Sequence, residues 1–305
     1  MLVPVLVTTS FVVFMMMHAI PGDPAQIWVG FETTDPVILD NVRKSLGLDQ
    51  PLLVQYGRWA ARVLQGDLGQ SVRTGRPISA LVAESLPVTL HLTVYALLLA
   101  LAMGMVIGIA AATSRRWGWQ ALYRIFVMVG LSVPQFWLGT MLILVFSVKA
   151  GIFGLLRYPL LWEAPAQSLW SFLLPALTLA IPNAAAFARM VRASMLEVLL
   201  EEYVRVAQAK GLSHLAVVLR HALRNALLPV VTLAGIVAGY LLGGAVVVEQ
   251  VFAMSGLGRL GLQAIVQRDY PVLQAVVLVA ATLFVLVNLA TDLLYAAIDP
   301  RVEYR

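Results

Sequence analysis

Six long apolar runs set the pattern of this chain, separated by stretches where polar and charged residues return. A bilayer core of about 30 Å needs about 20 mostly apolar residues to cross it as a helix. The runs are 2–20, about 88–112, about 125–146, about 172–188, about 226–248 and about 272–295. Each predicts a membrane helix. The fourth is short and holds Pro175 and Pro182, which membrane helices accommodate where neighbours satisfy the freed carbonyl. The first has no basic segment before it and no small-residue cleavage site, and it reads as a retained helix.

Composition agrees with the pattern. Of 305 residues, 60% are hydrophobic and 12% charged, against about 25% charged in soluble domains. The mean hydropathy is +0.86. The formal charge of +5 does not require a nucleic-acid partner, because basic residues of membrane proteins collect in cytoplasmic loops. Arg115, Arg116 and Arg124, then Arg189, Arg192, Arg205, Lys210, Arg220 and Arg224, then Arg301 and Arg305 fall on one side of the spans. The short loops of the other side hold only Lys149, Arg157, Arg259 and Arg268. This asymmetry predicts both termini in the cytoplasm. Cysteine is absent, so no disulfide, thiol nucleophile or cysteine-ligated metal can form.

Small residues recur every fourth position in three of the runs. They are Ala100, Gly104, Gly108 and Ala112; Ala176, Ala180, Ala184 and Ala188; and Gly235, Gly239 and Gly243. Such stripes let helix backbones approach closely in lipid, so these positions, the five glycines above all, are candidate helix-packing sites.

No self-contained energy source or catalytic constellation is present. Lys44, Lys149 and Lys210 follow Arg43, Val148 and Ala209, so none completes a P-loop. No histidine opens HExxH, and no serine completes GxSxG. Acidic residues avoid the spans, except for Asp292 near the end of the last one, which reads as structural. A proton- or ion-driven carrier and a channel with charged rings both lack their residues. A membrane scaffold is not excluded by packing stripes alone.

The loop at 189–225 differs from the others. It is basic and helical by pattern, with Leu199, Tyr203, Val206 and Lys210 expected on one face and Glu201, Glu202, Arg205 and Gln208 on the other. Gly211 breaks the helix, and Ser213 can cap a second one carrying Leu215, Val218, Leu219, Ala222 and Leu223. A helix–Gly–helix hairpin joined to two spans suits docking to a soluble partner, or rest on lipid headgroups.

Within this loop the run Arg205-Val206-Ala207-Gln208-Ala209-Lys210-Gly211 matches a family signature: Glu, Gln or Arg, two small residues, three others, then Gly. Other motifs follow in order along the chain. They include Pro21-Gly22-Asp23-Pro24, Gly66-Asp67-Leu68-Gly69, Ser132-Val133-Pro134, Leu174-Pro175-Ala176, Arg224-Asn225-Ala226-Leu227-Leu228-Pro229, Gly256-Leu257-Gly258, Arg268-Asp269-Tyr270-Pro271 and Asp299-Pro300-Arg301. The chain thus resembles the integral permease subunits of ABC importers, specifically the B-type permease of the dipeptide/oligopeptide/nickel group. It departs from the commonest form by Arg205 and Val206 in place of Glu-Ala, and by Arg224 where many members have Pro.

The resemblance implies an all-α integral membrane fold of the type I ABC importer permease. Its parts would be a first transmembrane helix at 1–20 and a long extracytoplasmic loop at 21–87. A five-helix core at 88–298 would carry the cytoplasmic coupling hairpin, ahead of a tail at 299–305. Leu46, Leu48, Leu52, Leu53, Tyr56 and Trp59, with Val63, would give the long loop an apolar helix face within a folded cap. Arg205 to Gly211, with Leu212, would dock an ATPase subunit. The partners implied are a second, C-type permease subunit, two ATPase subunits, a substrate-binding protein outside, and the lipid of a bacterial or archaeal inner membrane. ATP and Mg2+ would bind at the ATPase subunits, and this chain would hold no cofactor and catalyse nothing. The cargo implied is a dipeptide or oligopeptide, with nickel chelates, glutathione and opines as alternatives.

Overall fold

The computed structural model describes residues 2–19, 35–153 and 158–298. Pro21 to Pro24 and Asp299 to Arg301 lie outside the described residues. The regular structure among the described residues is helical, apart from an isolated bridge between Gln70 and Pro77. Among the described residues, four continuous helical stretches are long and apolar enough to cross a membrane: Ile78–Thr113, Pro165–Val198, Val217–Gly243 and Tyr270–Leu293. A bent pair supplies a fifth apolar segment, and the first helix carries a shorter apolar stretch, Pro4–Met16.

The chain divides into two compact units, residues 1–86 with 255–285, and residues 87–254 with 286–305. In the first unit, α1 (Leu2–Ala19) is followed by α2 (Pro36–Leu46) and α3 (Leu52–Leu64). Helix α2 starts where Asp35 Oδ1 accepts from the Val37 N–H at 2.9 Å, with Pro36 in the first turn, and stops at Gly47. Gly47 adopts φ +69°, the left-handed cap in which Cβ would be strained. Lys44 pairs with Asp40 one turn earlier at 2.7 Å. The lysine's hydrogen bond and charge hold the Asp40 carboxyl below its ordinary range, and both side chains are exposed.

The start of α4 (Ile78–Thr113), α11 (Leu257–Gln267) and the start of α12 (Tyr270–Ile298) form the apolar core of this unit. Ile78 and Val82 meet Leu257, Ala264, Val272 and Val276. A buried carboxylate pins the loop ahead of α4 to the turn between α11 and α12. Asp269 accepts from Ser71 Oγ at 2.5 Å and from the N–H groups of Val72 and Arg73 at 3.3 and 3.4 Å. Arg73 Nε reaches back to the Gln267 carbonyl at 2.7 Å. Residues 71–73, just after the loop motif at 66–69, are therefore tied to the motif at 268–271.

The second unit contains the rest of α4, α5 (Trp117–Ser132), α6 (Gln135–Leu142), α7 (Pro165–Val198), α8 (Glu202–Ala209), α9 (Leu223–Gly244) and α10 (Val246–Val251). Helix α7 is the axis: 61% of its apolar window is buried. Its alanine stripe, Ala176, Ala180, Ala184 and Ala188, is fully enclosed. The α4 stripe lies directly on it. A Cβ at Gly104 would sit 2.4 Å from the Phe187 Cβ and 3.0 Å from the Ala184 carbonyl oxygen. One at Gly108 would sit 2.7 Å from the Val191 Cβ and 2.8 Å from the Ala188 oxygen. Gly130 of α5 approaches Ala185 in the same way, and Gly235 of α9 approaches Thr291 of α12. Gly239 is buried, whereas Gly243 is exposed with nothing within 4 Å of its Cβ position.

Polar side chains finish the helix ends. Gln120 Nε2 donates to the Ala111 and Ser114 carbonyls at 2.7 and 2.8 Å, closing the last turn of α4, and Arg192 lies 5.1 Å over the Tyr123 ring. The Leu161 N–H donates to His91 Nε2 at 3.2 Å. Tyr158 donates to the Phe252 carbonyl at 2.9 Å, and burial pushes its phenol up to about 12, so it stays a neutral donor.

The third apolar run departs from its expected form. It is not one helix over 125–146 but α5, a bend of 106°, then α6 continuing as a π-helix, Ile143–Lys149. Val133 and Pro134 are both extended at the break. Proline disfavours helical backbone in the residue before it and supplies no N–H of its own. The fifth run also ends early, turning at Ala245 into the short α10.

The packing predicts unequal costs for two glycine substitutions. Gly108→Ala forces backbone contact, at the cost of an overpacked site, about 1–3 kcal/mol, and should lower the thermal midpoint of the detergent-solubilised chain. Gly243→Ala should leave that midpoint unchanged or raise it slightly. Equal effects at the two positions would contradict the α4–α7 approach.

Candidate docking site

The segment between α7 and α9 is built from two short helical pieces around a glycine turn. Helix α7 closes at Leu199, whose N–H donates to the Met195 carbonyl at 2.9 Å. Glu201 is extended and α8 begins at Glu202, a carboxylate in the first turn where the helix dipole favours it. Lys210 caps α8. Gly211 follows at φ +79°, its N–H donating to the Gln208 carbonyl at 3.0 Å. Nothing crowds its Cβ position, so the backbone turn itself selects glycine here. Ser213 Oγ accepts from the Ala216 N–H at 3.4 Å. The second piece is one α-turn, His214–Ala216, running into a π-helix, Val217–Ala222, and then α9.

Helix α8 has one inward face, and it lies outside the Tyr203–Val206 stripe of the sequence pattern. Val204 is fully buried and Ala207 is 6% exposed; they pack on Val217, with Val198 and Leu199 alongside. Tyr203 and Val206 face outward. The helix has only two turns, Glu202–Ala209. Leu199 does join the buried cluster, but from the end of α7. A second tie joins α8 to α9: Asn225 Nδ2 donates to Tyr203 Oη at 2.7 Å.

Of the eight residues matching the signature and its continuation, Ala207 alone is buried. Arg205, Val206, Gln208, Ala209, Lys210, Gly211 and Leu212 are exposed. Leu200, Tyr203, Val206, Leu212, Leu215 and Leu219 add further exposed apolar surface, with Arg205, Lys210, Arg220 and Arg224 exposed around them. Large apolar side chains exposed among charges mark a contact with protein or membrane. Among the described residues no cluster of His, Cys, Asp or Glu could hold a metal ion.

Sequence reasoning missed one buried acid. Glu249, expected in a loop, lies in α10 and is fully enclosed, accepting from Thr89 Oγ1 at 2.6 Å. The signal was present in the sequence: Glu249 follows the unbroken apolar run from Ala245 to Val248. Asp292 is exposed on α12.

With this geometry in place, the fold defines a class. It is similar to a chain of the MetNI methionine ABC transporter, solved in inward-facing conformations (TM-score 0.57, 21% identity, 72% of this chain and 96% of that one). It is also similar to an amino acid ABC transporter crystallised with histidines (TM-score 0.53, 18% identity, 73% and 95%). These likenesses establish the fold alone. The chain belongs to the family described as binding-protein-dependent transport system inner membrane component, whose model matches residues 104–304, with the family's N-terminal region matching 1–93. It is a multi-pass membrane protein. Glutathione transport system permease protein GsiC of Salmonella paratyphi A is 45% identical over 307 residues, covering 100% of this chain and 96% of that one. A Brucella abortus protein named for a peptide transport system is 40% identical over 302 residues, covering 99% and 96%.

The two faces of α8 predict separable mutant effects. Val204→Asp buries a charge without a partner, at a cost of roughly 3–5 kcal/mol. It should open the 199–225 segment to limited proteolysis. Val206→Asp should leave the proteolysis pattern unchanged. Identical patterns in the two variants would contradict this assignment of faces.

Proposed function

We propose that this chain forms half of the translocation pathway of an ATP-driven importer for peptides, glutathione included. The names and similarity of its relatives support that cargo class. A second permease chain would complete the pathway, a substrate-binding protein would deliver cargo from outside, and two ATPase subunits would bind ATP and Mg2+ on the other side. Both termini lie in the cytoplasm in this reading, because that placement puts the basic loops inside. The 189–225 segment then faces the ATPases.

The observation that carries the proposal is the exposed face of α8, from Arg205 to Leu212, on a helix fixed at two points to the membrane core. Closure of the ATPase pair on ATP would push on Val206 and Leu212. The contact of Val204 and Ala207 with Val217, and the Tyr203–Asn225 bond, would pass that displacement to the start of α9. Direct continuity through Leu199 would pass it to α7. The chain supplies the moving geometry; hydrolysis belongs to the partners.

Val206→Asp and Leu212→Asp test the docking face. Each variant should insert at the normal level, retain less ATPase subunit through purification, and lose most ATP-dependent uptake of a labelled peptide. Undiminished uptake by both would remove the docking assignment.

A further inference from the structure

Helix α3 (Leu52–Leu64) is apolar around most of its circumference. At about 100° per residue, Leu52, Tyr56, Trp59 and Val63 share one arc. That arc is turned to α1. Tyr56 Oη and Ser10 Oγ share a hydrogen bond at 2.8 Å. The Phe11 and Phe14 rings meet Tyr56 edge-on at 5.2 and 5.6 Å, and Phe14 lies 5.6 Å from Trp59. The neighbouring arc, Leu53, Gly57, Ala61 and Leu64, is uncovered, with Leu53 73% and Leu64 89% exposed. Polar side chains are confined to a narrow third arc of Gln55, Arg58 and Arg62, and both arginines are exposed.

The depth of the contact decides what covers α3. Ser10, Phe11 and Phe14 lie well inside α1, within its apolar stretch Pro4–Met16. Around them Val5, Val7, Val12 and Met16 are exposed. Val7 shares the α3-facing side of α1 with Ser10, Phe11 and Phe14 and is 53% exposed, so lipid that covers α1 reaches the edge of its contact with α3. We propose that α3 is an interfacial membrane helix, not part of a water-facing cap. It lies against α1 with Leu53 and Leu64 among the acyl chains and Arg58 and Arg62 on anionic phospholipid headgroups. The inference rests on the chain being a membrane protein and is independent of what the importer carries. A narrow basic face beside a wide apolar one is the composition of such helices, and Tyr56 and Trp59 are the ring types that favour the interface.

The cysteine-free sequence makes the test direct. Single variants Leu53→Cys, Leu64→Cys and Arg58→Cys of the full chain are spin-labelled in nanodiscs of phosphatidylethanolamine and phosphatidylglycerol. Val12→Cys serves as the lipid reference and Asp40→Cys as the water reference. Labels at 53 and 64 should be several-fold more accessible to oxygen than to a water-soluble nickel chelate, as at 12, and the label at 58 should reverse that ratio. In wholly zwitterionic lipid the label at 53 should shift toward water. Nickel accessibility at 53 and 64 equal to that at 40 would overturn the proposal, placing α3 in a solvated cap. Shielding from both reagents would overturn it too, assigning the face to another protein chain. No shift on removing the anionic lipid would overturn the headgroup contact.

Discussion

The close approach of α4 to α7 is the contact on which the second unit depends. In lipid there is no hydrophobic drive between helices, so association rests on packing and on what backbones can reach. Gly104 and Gly108 leave room for Phe187, Ala184, Ala188 and Val191 to come within distances that any larger residue would block. Helix α7 is thereby enclosed along its alanine stripe, and α5 adds Gly130 against Ala185. A core made this way is stiff, because each contact is between backbone or Cβ atoms and little side-chain rearrangement can absorb a displacement.

That stiffness gives the short α8 its significance. Two turns of helix have little stability alone. Here Val204 and Ala207 are anchored on Val217, and Tyr203 on Asn225, so the helix is an extension of α7 and α9. The residues left outward, Val206 and Leu212 among them, are apolar without being part of any core. The π-helix at Val217–Ala222 begins at the anchor. Such segments are irregular points in an otherwise uniform helix and are frequent at functional sites.

The six apolar runs and the all-helical class were legible in hydropathy, because lipid leaves backbone polar groups no partner except the helix itself. The break at Val133-Pro134 was not, since proline occurs inside unbroken helices here as well: Pro87, Pro175, Pro182 and Pro229 all do. Local sequence does not say which proline has neighbours that hold the helix together. The inward face of α8 was not legible, because a two-turn helix offers too few positions for periodicity to decide. The glycine stripe of α9 was half legible. Gly235 meets Thr291, while Gly243 meets nothing, since a stripe records that close approach is possible and not where a partner lies. Glu249 was hidden by an expected loop that folds as α10.

The central claim is that the outward face of α8 is the contact surface for the ATP-hydrolysing subunits. Its most direct test attaches a photo-crosslinker to a single Val206→Cys variant in native membranes and identifies the crosslinked product by mass spectrometry. The account predicts a P-loop ATPase subunit in that product, and none from a Val12→Cys variant on α1. Crosslinks from Val206→Cys to lipid alone, or to a protein without a nucleotide-binding site, would contradict it.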